Sequence, residues 1–293
     1  MHEATLPPPR ASRRAPRLPL DMPARVALTV ALLVLLLGIA FGYGLSGAEG
    51  YNAPQLLARL KTPSFGFGPN DHWLGTDQIG RDILLRCLKG TQISVGISLA
   101  GVVGGCVIGS TLGLVCGYFG GWIDRVGMML VDIQLALPNL LLILTGIALF
   151  GSNIVVLIAL ISLARWEGYA RLARGMVLKT REQEFVEAAR AIGASTPRIL
   201  LVHILPNIAS PLFVMVTLSL PSVMLLEASL SFIGIGVQPP TPSLGRMVAD
   251  GRDFLATHPW IALAPAALIA FITIAGQVIA DWCRAKLDVK AMT

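Results

Sequence analysis

REQEFVEAARAIGASTPRILLVHILPN, residues 181–207, is a polar stretch lying between two runs greasy enough to cross a bilayer. It carries Arg181, Glu182, Glu184, Glu187, Arg190 and Arg198. Residues 182–192 lack Gly and Pro and are rich in Ala and Glu, strong helix formers. Gly193 stops that helix if it takes a left-handed conformation. Thr196 is then placed to cap a second helix, with Pro197 at its first position, where a missing N–H costs nothing. The second helix runs through 199–205 into Pro206. Two short helices with a tight turn between them, offered to one side of a membrane, have the shape of a docking element rather than of an enzyme pocket.

The rest of the chain supplies the membrane. Of 293 residues, 54% are hydrophobic and only 14% charged, where soluble domains carry about 25% charged residues. The mean hydropathy is +0.71. The apolar runs are long and continuous, not short and alternating, so the spans are helices and not barrel strands. The expected class is all-α and polytopic, with six spans at 26–45, 93–118, 125–150, 154–171, 208–235 and 260–282. Residues 1–25 read as a basic, Pro-rich, disordered cytoplasmic tail. Residues 46–91 read as an external loop, 236–259 as a second one, and 284–293 as a cytoplasmic tail. Pro138 in the third span, and Pro211 and Pro221 in the fifth, are expected to kink or break their helices. With the N-terminus inside, the tail arginines and Arg125, Arg165, Arg171, Arg174, Lys179, Arg190 and Arg284 gather on the cytoplasmic side, so both termini are expected there. The net charge of +6 then serves membrane orientation and not nucleic-acid binding.

Within the loop, Ala188 and Ala189 offer a narrow helix surface for a close partner. Glu187 and Arg190, one turn apart, are able to pair with each other or with that partner. An ordinary amphipathic helix lying on lipid headgroups has the same pattern. Glu227 in the fifth span and Asp132 in the third are charges in an apolar setting. Each is expected to face protein or a water-filled path, either meeting a charged solute or bonding to another helix. Before the second span, Arg81 has two candidate partners, Asp77 and Asp82, in a structural clasp or a contact with an external protein. Arg246 and Asp250 are spaced as a local pair. Pro239, Pro240 and Pro242 favour a stiff extended segment rimming the outer mouth. His72, His203 and His258 have no metal-ligand spacing. Cys87, Cys106, Cys116 and Cys283 form no framework and read as small apolar packing residues. No catalytic set converges, so neither catalysis nor a metal is expected in this chain.

Glu187-Ala188-Ala189, then Gly193, then Leu205-Pro206 resembles the EAA loop of ABC importer permeases. That family's pattern has Ile where His203 stands here, and HILPN at 203–207 is similar to the peptide-importer branch. LGTDQIGRD (74–82) and EASLSFIGIGVQPPTPSLGRM (227–247) resemble the same branch, in the same order. The resemblance runs from about residue 26 onward and points to the C-type permease subunit of dipeptide and oligopeptide importers. It implies a type I ABC importer transmembrane domain over 92–283. It also implies a loop in which Glu187, Ala188, Ala189, Arg190, Gly193, Leu205 and Pro206 seat in a groove of a cytoplasmic ATPase. The implied partners are two ATPase subunits, a B-type permease completing the pore, and an external binding protein delivering the peptide. ATP and Mg would be bound by the ATPases. This chain has no glycine-rich phosphate loop ending in Gly-Lys-Ser/Thr and no cofactor of its own. A nickel importer permease shares the motifs, and a membrane scaffold that only recruits an ATPase is the reading from another class. A secondary transporter would show repeated halves, and the polar loop has no counterpart in the first half.

Overall fold

A computed structural model describes residues 23–45, 49–64, 66 and 72–291. The disordered tail expected over 1–25 lies almost wholly outside these residues. The described chain is helical throughout, and its one β-bridge pairs Thr76 with Asp82. Four helices are long and apolar enough to cross a membrane: α1 (Ala24–Leu45), α2 (Ile83–Phe119), the continuous stretch Thr196–Ile233, and α11 (Trp260–Ala291). A bent pair, α3 (Gly121–Ala136) and α4 (Asn139–Phe150), meets at 91° and forms a broken fifth span or a re-entrant loop. Leu137 before Pro138 is driven into extended backbone, ψ 131°, by its clash with the proline ring. That residue and the proline make the bend.

The span expected over 154–171 is instead two helices, α5 (Ile154–Leu163) and α6 (Trp166–Thr180), parted at Ala164 and Arg165. Only α5 is apolar throughout, and its 10 residues cover about 15 Å of a hydrocarbon layer about 30 Å thick. α6 carries Glu167, Arg171, Arg174 and Lys179. A further departure is at α2, which begins at Ile83 and not at 93. Asp82 caps it by accepting the Leu85 N–H at 3.0 Å, and the end of the supposed loop 46–91 is therefore helix. Its 37 residues extend about 55 Å, well beyond the hydrocarbon. α11 likewise runs on through Ala291, taking in most of the expected C-terminal tail.

α2 packs on α5 and α6 through glycines at every fourth position. A Cβ on Gly109 would come within 2.1 Å of the Trp166 carbonyl oxygen, and one on Gly113 within 2.4 Å of that of Ala170. Gly101, Gly105 and Gly117 continue the stripe against Ile161, Ser162 and Val177. Close backbone approach of this kind is how helices associate where no hydrophobic effect separates them from their solvent. Around the stripe the core collects Val102, Ile161, Tyr169, Val177, Ile208 and Leu230.

Next come α7 (Glu184–Ala191), α8 (Thr196–Arg198), a widened π turn over Ile199–Ile204, and α9 (Leu205–Ile233). Pro211 and Pro221, expected to kink or break the fifth span, lie inside a helix α9 that runs unbroken. Pro221 is buried, and its ring fits a notch on α11 where a Cβ on Gly276 would stand 3.2 Å from it. Neighbouring helices reseal what the prolines leave open. α10 (Leu244–Gly251) caps the bundle at the end where α2 starts and α9 finishes, with Ser243 accepting the Arg246 N–H at 3.3 Å. Leu28, Val34, Leu35 and Ile39 of α1 stay exposed, as a helix facing lipid requires.

Candidate functional site

The loop 181–207 hangs from the end of α6. It is braced by α2. Arg181 donates through Nη1 to the carbonyls of Gly117 at 2.8 Å and Tyr118 at 3.3 Å, among the last acceptors of α2, which have no partner in their own helix. Arg190 stands over the Tyr118 ring, 5.9 Å from its centroid. Nearby, Arg174 of α6 grips Asp124 of α3 with two bonds, Nε to Oδ1 at 2.5 Å and Nη2 to Oδ2 at 2.7 Å.

On this brace α7 turns Val186 and Ala189 inward, 0% and 5% exposed, and leaves Glu187, Ala188 and Arg190 outward. The two alanines therefore differ. Ala189 lets the loop pack on itself, and Ala188 alone is the small outward residue. Glu187 and Arg190 do not pair with each other, since Arg190 turns to Tyr118. Gly193 takes φ +79°, and the Ala194 N–H reaches back to the Ala189 carbonyl at 3.0 Å, closing α7 as a left-handed cap does. Nothing stands within 4 Å of a Cβ at Gly193, so its backbone angle and not crowding requires glycine.

The next helix is preceded by Ser195 and not by the expected Thr196, which is its first residue. It also does not stop at Pro206. The Leu205 N–H bonds to the Leu200 carbonyl five residues back, and this wider turn carries the chain past a nitrogen with no proton and on into α9. The loop is one short helix followed by the stem of a span, not two free helices. Leu205 is half-buried and Pro206 exposed. Ile192, Leu201 and Val202 are exposed as well, Ile192 at 85%.

The two acids expected on a solute path are not brought together. Asp132 lies on the exposed side of α3, bonded to Arg171 Nη2 at 2.6 Å. It lines an open concavity of about 1040 Å³ with Asp124, Arg125, Met128, Met129 and Arg174. Glu227 is 0% exposed and accepts Ser231 Oγ at 2.7 Å.

At the opposite end of α2 the motif at 74–82 is a clasp. Asp77 is its hub. Oδ1 accepts the N–H groups of Ile79 at 3.0 Å and Arg81 at 2.9 Å, and Oδ2 accepts Arg81 Nε at 2.6 Å and Arg86 Nη1 at 2.8 Å. Asp82 pairs instead with His72 at 2.7 Å. The Thr76 hydroxyl donates to the Ala58 carbonyl and accepts the Lys61 N–H. A Cβ on Gly80, at φ +82°, would overlap the Gln55 carbonyl. Beside the clasp, Arg246 and Asp250 of α10 make the expected pair at 3.0 Å. Burial pushes the Asp250 carboxyl above the usual aspartate range, against the pull of Arg246 and Arg81. Sequence reasoning passed over Arg86, His72, the brace at Arg181 and the glycine stripe. The stripe alone had a local signal, a glycine at every fourth residue from 101 to 117. Among the described residues no three His, Cys, Asp or Glu side chains are placed to hold a metal, and all four cysteines are free thiols.

Residues 109–289 match the family described as binding-protein-dependent transport system inner membrane component. The chain is 37% identical over 266 residues to the oligopeptide transport system permease protein OppC of Mycobacterium tuberculosis, covering 89% of this chain and 90% of that one. It is 38% identical over 232 residues to the dipeptide transport system permease protein DppC of Alkalihalophilus pseudofirmus, covering 79% and 75%. The glutathione transport system permease protein GsiD of Escherichia coli is 38% identical over 266 residues, covering 90% and 86%. Among solved structures, a chain of the MetNI methionine ABC transporter in an inward-facing conformation superposes with a TM-score of 0.54. It is 19% identical, and the match covers 70% of this chain and 97% of that one. At that identity the likeness is one of fold.

Proposed function

Because this chain belongs to the family of binding-protein-dependent transport system inner membrane components, we propose that it is the permease subunit of an ATP-driven importer of di- or oligopeptides. Its loop at 181–207 is the handle by which cytoplasmic ATPases move it. The observation that carries the reading is the division of the loop into a braced inner face and an unpaired outer one. Arg181 and Arg190 tie it to α2 and Val186 and Ala189 are buried beneath it, while Glu187, Ala188 and Ile192 face outward. A handle has to be stiff on one side and open on the other. The relatives named for dipeptide, oligopeptide and glutathione transport support peptides as the solute.

In this reading the loop end of the bundle and both termini face the cytoplasm of a bacterial cell, and the clasp end faces outward. A second, B-type permease completes the pore, two ATPase subunits bind ATP and Mg, and an external binding protein delivers the solute. The chain binds no nucleotide, cofactor or metal and catalyses nothing itself. Glu187, Ala188, Arg190, Gly193, Leu205 and Pro206 shape the contact with the ATPase, and Ala189 supports it from beneath. Asp132, on its open concavity, is the acid placed to meet a charged solute. Glu227 is fully buried. The test is uptake of a labelled dipeptide and a labelled tetrapeptide into vesicles holding the assembled complex. Accumulation that needs both ATP and the binding protein is expected. ATP hydrolysis by this chain alone, or an ATPase recruited with no solute accumulated, would overturn the proposal.

A further inference from the structure

Glu227 is the one charged residue of α9, and no pairing cation lies within ion-pair distance of it among the described residues. Its surroundings are hydroxyls. Ser231 Oγ donates to Oε1 at 2.7 Å and itself accepts the Val237 N–H at 3.1 Å. Ser94 of α2 and Ser243 at the start of α10 also lie near this carboxyl, but its Oε2 has no hydrogen-bond partner. Ser94 Oγ accepts the Leu244 N–H at 3.2 Å, and Ser243 Oγ that of Arg246. Glu227 and all three serines are 0% exposed.

A hydroxyl that accepts a backbone N–H still has its own proton to give, and the proton needs an acceptor. Glu227 is that acceptor for Ser231, so it sets the direction of the hydroxyl that holds the Val237 N–H. Val237 and Leu244 pack the segment into the core as well, and its glycines bring it close. A Cβ on Gly236 would stand 2.2 Å from Ser231 Oγ, and one on Gly245 2.2 Å from the Ala228 carbonyl oxygen, so the segment lies bare against α9. We infer that Glu227 is a positioning residue: acting through Ser231, and lying beside the Ser94 and Ser243 hydroxyls that take the Leu244 and Arg246 N–H groups, it holds residues 236–246 as a cover across the clasp end of the bundle and does not touch the solute.

The inference rests on the importer reading for its transport readout, but its first readout needs no solute. Val237 is 2% exposed, so a cysteine there reacts with a thiol reagent only when the cover lifts. In assembled complexes with the four native cysteines replaced by alanine, Val237→Cys is labelled with and without Glu227→Gln. An amide at 227 keeps one acceptor oxygen and puts a donor in place of the other, beside hydroxyls whose lone pairs already take backbone N–H groups. Labelling is expected to quicken about tenfold, and Ser231→Ala, a smaller change that leaves the carboxyl in place, is expected to act in the same direction. Peptide uptake is expected to fall alike for substrates of different charge, with more ATP spent per peptide. Unchanged labelling in both variants would overturn the inference. So would a loss of uptake confined to positively charged peptides, which would put the carboxyl on the solute's path. If no peptide is carried at all, the importer reading fails while the labelling result still stands or falls by itself.

Discussion

The clasp at 72–86 and the loop at 181–207 are polar stretches at the two ends of the same long helix, and they use their charges in opposite ways. In the clasp, Asp77 takes four bonds from its own chain, and Arg86, 4% exposed, is buried with it. In the loop, internal bonds stop at the inner face. Glu184 and Glu187 lie exposed and make no ion pair among the described residues. One region uses most of its charge on itself, with only His72 Nε2, Gln78 Oε1 and Arg86 Nε left over among its buried atoms; the other is complete only against something else. The two differ little in residue type. What separates a structural polar motif from a docking one is whether the rest of the fold consumes its hydrogen bonds.

The largest effect expected from this contrast is at the clasp. Asp77→Ala leaves Arg81 and Arg86 without their shared carboxylate, and breaking a buried pair from one side costs about 3–5 kcal/mol. Loss of folded chain from membranes is expected, with Asp77→Asn partly restoring it because an acceptor remains for the two N–H groups. Membrane yield and melting of the purified complex measure this; wild-type melting in Asp77→Ala would erase the distinction between the two regions.

A smaller structural effect with a larger functional one is expected at Gly193→Val. A β-branched residue at φ +79° costs about 1–3 kcal/mol of local strain, borne by the loop and not by the bundle. The complex should assemble and hydrolyse ATP while uptake per ATP collapses. Coupled transport at the wild-type ratio would remove the docking role from the loop.

The smallest effect sharpens the clasp end. The Asp250 carboxyl is raised in the folded chain, chiefly by burial, so the folded state holds this proton more tightly than the unfolded one. Its contribution is therefore complete below the ordinary aspartate value and is lost as pH climbs from about 4 through the raised value. Melting curves across that window should fall more shallowly with pH in Asp250→Asn; identical slopes would show that Asp250 is not under this burial constraint.

Much of the loop was legible in the chain. Gly193 as a left-handed stop and Pro197 near a helix start follow from local chemistry that neighbours do not alter. The difference between Ala188 and Ala189 was not legible, because it depends on how the turn over 199–204 folds back against α7. Nor was the passage of α9 through Pro211 and Pro221, because the groups that tolerate a proline, such as the notch at Gly276, are on another helix. Glu227 and Asp132 looked alike as acids among apolar residues. One is sealed beneath a segment that returns to α2, where Ser94 meets Leu244 150 residues away, and the other opens onto a concavity.

Residues a few positions apart settled the class, the apolar runs, the bend at Pro138 and the turn at Gly193, since hydropathy and backbone preference act over one or two helical turns. Only the tertiary structure decided which charges were satisfied. Asp124 finds Arg174 across 50 residues, and Asp77 finds Arg86 only because α2 starts early enough to present it. An ion pair forms where two backbones converge, and that convergence is a property of packed helices that no single stretch of sequence contains.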